Sequence, residues 1–298
     1  MTCNPDLDAL MVDEHNISID PGTISIPRII EFPTGNGLKA HGFFYLPRNI
    51  NYKLLNDDKP PLLVVSHGGP TGSTSTEINL EIQYWTSRGI SVLDVNYGGS
   101  SGYGRNYRNR INGKWGIVDV EDCVNGALHL VKLGEVNGDS LAIRGSSAGG
   151  YTTLCALAFR NIFKVGACYY GISDLGALAK ETHKFESHYL DTLIGPSEKK
   201  DLYSERSPIN KTNDLYSPVI FFQGLEDEVV SPHQSESMFK KVAMSGIPTA
   251  YLTFKREKHG FKMAENIKQS LESELYFYSR ILDFDLMDDI KPLSIENL

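Results

Sequence analysis

Leu141-Ala142-Ile143-Arg144-Gly145-Ser146-Ser147-Ala148-Gly149-Gly150 is the stretch on which the reading of this chain turns. A short apolar run at 141–143 has the length and composition of a buried strand. A helical pattern starts at Gly149 and runs to 159. Between them lies G-x-S-x-G, the spacing of a nucleophile elbow, in the strand–turn–helix context that such an elbow requires. The turn is so tight that side chains at 145 and 149 would strike neighbouring strands, which is why both are glycine. Ser147 is thereby lifted above the sheet, over a helix N-terminus with free N–H groups and partial positive charge. A chance Gly/Ser-rich turn would match the spacing but would not need the flanking strand and helix.

The same alternation of strand and helix extends outward in both directions. Upstream, apolar runs at 62–65 and 90–95 read as strands, with a helix at 77–88 ending at Gly89 between them. Val120, Cys123, Val124, Ala127, Leu128 and Val131 recur at helical spacing on one face. Downstream, strands are expected at 165–170, 218–222 and 250–254, and helices at 235–244 and 264–282. Residues 174–215 show no clean period. Two β-like runs at 26–32 and 41–46 flank Pro33-Thr34-Gly35-Asn36-Gly37, where Asn36-Gly37 is a hairpin signal. Strands that are apolar on both faces and alternate with helices predict an α/β protein. Its mostly parallel central sheet carries helices on both faces, with antiparallel strands at the N-terminal edge. The expected layout is a polar tail over 1–25 and one catalytic domain over 26–298.

Composition bounds the partners. The 298 residues include 29 Lys+Arg and 37 Asp+Glu, a formal charge of −8, which disfavours nucleic acid and anionic membrane surfaces. Hydrophobic residues at 41% supply ample surface for a core, so disorder is not expected as the main state. No run approaches the roughly 20 apolar residues of a membrane span, and the acidic start at Met1 does not read as a secretory signal. Cys3, Cys123, Cys155 and Cys168 form no C-x-x-C pair, so neither a disulfide framework nor a zinc site is expected. Reduced thiols point to the cytoplasm.

A serine nucleophile needs a base, and the base needs an orienting acid. Asp227 follows the strand at 218–222 in Gln223-Gly224-Leu225-Glu226-Asp227, with Glu226 as its adjacent rival. Among His183, His188, His233 and His259, only His259 follows a strand directly, in Lys258-His259-Gly260-Phe261. Ser147, Asp227 and His259 are therefore the expected catalytic residues. Oxyanion donors are expected at the Ala148 N–H and at Gly69, or Gly68, in Ser66-His67-Gly68-Gly69-Pro70. His67 is expected to be structural. The loop from Asn96 to Gly104 lacks both G-x-G-x-x-G and a P-loop lysine, so it reads as a tight loop beside the site. Glu121 and Asp122 are expected to open a helix after Trp115-Gly116. Pro70, Tyr103, Val229, Val230 and Tyr189 are the candidate substrate-binding residues, while Phe185, Tyr189 and Leu193 line a pocket or join the core.

Six motifs in order resemble the catalytic domain of the prolyl oligopeptidase family of serine peptidases, closest to its acylaminoacyl-peptidase and dipeptidyl-aminopeptidase branch. They are His67-Gly68-Gly69-Pro70, Asn96 to Gly104, Trp115-Gly116, the elbow, Gly224 to Asp227, and His259-Gly260-Phe261. The similarity runs from about Ile30 to Phe284. It implies an α/β-hydrolase fold, Ser147 as nucleophile, Asp227 as acid, His259 as base, an oxyanion hole at Gly69 and Ala148, and no cofactor or metal. It also implies a short peptide or N-acylated amino acid as substrate. An esterase, an acyl transferase or cyclase, and a non-catalytic binding protein on the same scaffold are the alternatives. Family members usually carry a β-propeller before this domain. Here only a short tail precedes it, so the chain is expected to be a fragment or to work without that filter. The face so bared is a candidate surface for a separate partner or a homo-oligomer. Some members place Arg two residues after the acid, where this chain has Val229.

Overall fold

Buried parallel strands need helices on both faces, and the chain supplies them in alternation. The computed structural model describes residues 19–54, 58–181, 189–214 and 217–298. The first hairpin is β1 (Arg28–Pro33) and β2 (Lys39–Tyr45), followed by β3 (Leu62–Ser66), α1 (Leu80–Thr86) and β4 (Ser91–Asn96). Next come α2 (Arg105–Arg108), α3 (Val118–Lys132), β5 (Leu141–Ser146), α4 (Ala148–Phe159) and β6 (Val165–Tyr169). Short helices α5 (Leu175–Glu181), α6 (Tyr189–Leu193) and α7 (Lys200–Glu205) precede β7 (Val219–Gly224). The chain closes with α8 (Pro232–Met244), β8 (Thr249–Phe254) and α9 (Ala264–Leu282).

The eight strands form one sheet in the order β1-β2-β4-β3-β5-β6-β7-β8. The β1/β2 and β2/β4 pairs are antiparallel and the rest are parallel. At the hairpin, Asn36 and Gly37 both take left-handed backbone (φ 58° and 70°), the conformation that Asn-Gly tolerates best. Alternate strand residues feed two cores. Leu62, Val64, Ile143 and Phe221 pack with α3, α4 and α8. Leu63, Ala142, Ile220 and Phe222 pack with α1 and α9 on the other face. Arg144, on the strand leading to the elbow, is buried and meets Glu274 of α9 at 3.3 Å and Glu81 of α1.

Several local expectations shift. The helix expected from Glu77 starts at Leu80, because the Asn79 side chain caps it by accepting from the Glu81 and Ile82 N–H groups. The helix expected to open at Glu121 and Asp122 starts at Val118. Asp119 and Glu121 sit in its first turn, while Asp122 turns inward to accept from the Gly98 N–H (2.6 Å) and the Thr34 hydroxyl. That bond ties the Asn96–Gly104 loop to α3. Residues 174–215, which lack a sequence period, hold α5, α6, α7 and a 3-10 turn at Pro208–Asp214. Helices of five to seven residues make fewer than two turns, so no periodicity can show. Ile24 and Ser25, placed with the tail from sequence, are buried, and the Ser25 hydroxyl donates to the Leu46 carbonyl (2.6 Å). Cys123, Cys155 and Cys168 are buried free thiols. Cys3, His183, Phe185 and His188 lie outside the described residues. Among the described residues no helix is long and apolar enough to cross a membrane, and no cluster of His, Cys, Asp and Glu is placed to hold a metal ion.

Candidate active site

The elbow is built as its glycines require. Ser147 stands between β5 and α4 with φ 56° and ψ −120°, a backbone region that residues with a side chain rarely enter. A Cβ on Gly149 would strike the Ser66 carbonyl, and one on Gly145 would strike the Gly149 backbone. The Ser147 N–H donates to the Tyr169 carbonyl (3.0 Å), which fixes the strained residue against β6.

Two loops from the carboxyl ends of β7 and β8 meet this serine. The Ser147 Oγ lies 2.8 Å from His259 Nε2, and His259 Nδ1 lies 2.8 Å from Asp227 Oδ2. The Asp227 carboxylate is buried and otherwise surrounded by donors. Its Oδ1 accepts from the Val229 and Val230 N–H groups (2.9 Å each), and its Oδ2 from the Gln223 amide (3.3 Å). A carboxylate with this environment acts only as acceptor, so the proton sits on His259 Nδ1. That leaves the Nε2 lone pair facing Ser147. Glu226, the rival acid, is exposed, and its backbone N–H donates to the Glu257 carbonyl (2.9 Å). His233 opens α8 at the surface beside Ser237.

The Gly68–Gly69 segment lies against the elbow. A Cβ on Gly68 would come within 3.3 Å of the Ser146 carbonyl and 3.6 Å of Ser147 Cβ. His67 orients this segment. Its Nδ1 lies 2.8 Å from the Gly68 carbonyl oxygen, which can only accept, so Nδ1 carries the proton. Nε2 then accepts from the Ser100 hydroxyl at 2.6 Å. Burial pushes the imidazole pKa down to about 4, so His67 is neutral at physiological pH. The Gly68 carbonyl and the Gly69 N–H belong to one planar peptide. Pinning the carbonyl therefore fixes the direction of the N–H. Ala148 opens α4, so its N–H has no partner within the helix.

The chain has counterparts among known proteins. The model of the prolyl oligopeptidase family, peptidase S9, matches residues 76–285. The chain belongs to the prolyl oligopeptidase family. Among solved structures, a Mycobacterium tuberculosis puromycin-hydrolyzing peptidase is 44% identical with a TM-score of 0.91, over 93% of this chain and 42% of that one. Dipeptidyl aminopeptidase BIII of Pseudoxanthomonas mexicana is 32% identical over 250 residues, 80% of this chain and 36% of the relative. The acylamino-acid-releasing enzyme of Arabidopsis thaliana is 28% identical over 210 residues, 67% of this chain and 27% of the relative. The chain thus spans about a third of the length of the curated relatives it matches. The sheet is that of the family's α/β-hydrolase fold.

The remaining candidate residues of this family member fall into different places. Tyr189 reaches from α6 to the glycine segment, its hydroxyl 3.1 Å from Thr71 Oγ1 and 3.5 Å from the Gly69 carbonyl. Val229 is 62% exposed beside Asp227. Val230 is buried, so the loop offers its N–H to Asp227 and keeps its side chain from solvent. Pro70 is buried behind Gly69. The Tyr103 ring stacks on His41 (4.4 Å) and its hydroxyl accepts from the Asn96 amide (3.2 Å), which commits it to the β2/β4 end of the sheet. Tyr170 was not singled out from sequence. Its ring stands edge-on to His259 at 4.9 Å, from a backbone with φ 38°. Its position directly after a strand, at the edge where sites form, was the available signal.

The chain beyond Gly69 is anchored by a buried aspartate. The Thr74 hydroxyl donates to Asp94, while the Thr74 N–H and carbonyl bond the Asn96 amide (2.9 and 3.2 Å). Burial lifts the Asp94 carboxyl to about 7, against the Thr74 hydrogen bond; Glu81 raises it further and Arg144 lowers it. The unfolded value is about 3.9. The folded state therefore holds a proton that the unfolded chain releases. This stabilisation is complete below about pH 4 and is lost as pH rises through about 7. Asp94→Asn stays neutral throughout and keeps an oxygen for Thr74. Its melting temperature relative to wild type should rise between about pH 5.5 and about pH 8.5. An offset that does not change with pH would reject this account.

Proposed function

We propose that this chain carries the catalytic machinery of a serine peptidase that cleaves short peptides or N-acylated amino acids through an acyl-enzyme. The observation that carries the reading is the unbroken hydrogen-bond chain Ser147–His259–Asp227, at 2.8 Å for each link. His259 Nε2 takes the Ser147 proton as Oγ attacks the scissile carbonyl. Asp227 holds the Nδ1 tautomer and stabilises the imidazolium that forms. The oxyanion is received by the Ala148 and Gly69 N–H groups, each worth about 3–4 kcal/mol of barrier. His259 then gives its proton to the leaving amine, and water repeats the sequence to release the acid. Gly69 and Ala148 flank Ser147, while Tyr189 and Val229 border the entrance as substrate contacts.

The similarity to a dipeptidyl aminopeptidase and to an acylamino-acid-releasing enzyme supports the substrate class. The net charge of −8 supports a role without nucleic acid. Buried unpaired thiols at Cys123, Cys155 and Cys168 support a reducing compartment, the cytoplasm. Residues 26–298 form the catalytic domain in this reading.

The test is turnover of N-acetyl-aminoacyl and dipeptidyl p-nitroanilides beside simple p-nitrophenyl esters. Hydrolysis of at least one anilide is expected. Cleavage of the esters alone would replace the peptidase reading with an esterase or acyl transferase. No turnover and no covalent capture by a fluorophosphonate would leave a binding protein on a hydrolase scaffold.

A further inference from the structure

Nine residues link the end of β8 at Phe254 to the start of α9 at Ala264, and His259 sits in the middle of them. A link of that length has no reason to hold one side chain still. Something must pin it on both sides of the histidine. Glu257, two residues before His259, is only 2% exposed, although an ionised carboxylate is costly to bury without partners. Its partners all lie beyond the histidine. One oxygen accepts from the Lys262 N–H (2.9 Å), and the other from the Met263 N–H (2.9 Å) and the Asn266 side chain (2.8 Å). Burial works to raise its pKa. The three hydrogen bonds and the Lys262 charge outweigh that and hold it below the ordinary glutamate value. The backbone of the same residue faces the other way. Its carbonyl accepts from the Glu226 N–H, the neighbour of Asp227, and a Cβ on Gly224 would meet that carbonyl at 2.5 Å.

We propose that Glu257 is a positioning residue for the catalytic base: its carboxylate closes residues 257–263 into a hoop that holds His259 between Asp227 and Ser147. The inference rests on the serine-hydrolase reading above. One face of Glu257 joins the hoop to the loop that carries the acid, and the other ties it to the N-terminal turn of α9. The triad spacing is thereby set by a residue that touches neither substrate nor the reacting atoms.

A carboxylate that merely capped α9 would affect stability and leave the triad untouched, so the test separates the two roles. Glu257→Gln preserves shape but must turn one N–H₂ group toward backbone donors. Asn266→Ala removes one of the three donors and leaves the hoop closed through Lys262 and Met263. The readout is the rate at which a fluorophosphonate probe labels Ser147, with melting temperature measured alongside and each variant assayed well below its midpoint. Glu257→Gln is expected to label about 10²-fold more slowly, the scale of a 1 Å misplacement at a catalytic group. The low-field proton resonance of His259 Nδ1–H should shift or broaden in that variant. Asn266→Ala should label within about 3-fold of wild type, because two of the three ties remain. Equal labelling by wild type and folded Glu257→Gln overturns the proposal alone. So does a loss in Glu257→Gln that Asn266→Ala reproduces at the same melting temperature. A wild-type protein that takes no probe overturns the serine-hydrolase reading itself.

Discussion

Ser147→Ala is expected to lose covalent capture by a fluorophosphonate altogether, and to lower kcat/KM on any cleaved substrate by about 10⁶-fold. The wild-type protein should gain a single adduct, located on Ser147 by mass spectrometry. The loss is this large because nucleophile, base and acid act as one unit. Without Oγ, the proton chain from His259 has nothing to serve. Alanine keeps the small side chain that the strained backbone at φ 56° accommodates, so stability should change by no more than about 1 kcal/mol. An adduct of unchanged yield in the variant, or one on another residue of the wild type, would remove Ser147 from its role.

Asp227→Asn should cost about 10⁴-fold in kcat/KM at neutral pH while the protein remains folded. The reason is directional. The Asp227 Oδ1 position faces the N–H groups of Val229 and Val230, so an asparagine must place its own oxygen there. Its amide nitrogen then occupies the Oδ2 position and donates to His259 Nδ1. The imidazole is forced into the tautomer that carries its proton on Nε2, and it can no longer accept from Ser147. Steady-state kinetics on the best substrate of the panel decides the matter. A loss below about 10-fold would show that the acid is not what selects the tautomer.

Much of this is legible in the sequence alone. The G-x-S-x-G turn was readable because its strand and helix neighbours are dictated by the steric needs of Gly145 and Gly149. Asp227 and His259 could be placed because each follows a short apolar strand, and sites in such sheets gather at carboxyl ends. Helix α9 has the bounds its period predicts, since nineteen residues give more than five turns of amphipathic pattern. Between β6 and β7 the pattern fails, because helices of five to seven residues show no repeat. Tyr103 and Val230 illustrate a second limit. Proximity along the chain to a motif says nothing of which way a side chain turns, and one lies on His41 while the other is buried. Glu257, Asp94 and Tyr170 belong to no motif. Their roles depend on partners up to tens of residues away, which local sequence does not encode.

The strand order has a consequence for how activity is gained and lost. Ser147 and His259 are 112 residues apart in the chain, and their loops meet across the β5-β6-β7-β8 stack, each neighbour of which pairs in parallel. Parallel pairing requires long crossovers to close first, and such closure is entropically slow. Helices can regain their ellipticity locally while β7 and β8 are still unpaired, but the hydroxyl then has no imidazole beside it. During refolding, return of hydrolysis should therefore trail the return of helical signal. In partial denaturation it should vanish first, so that turnover reports whether the far edge of the sheet is docked.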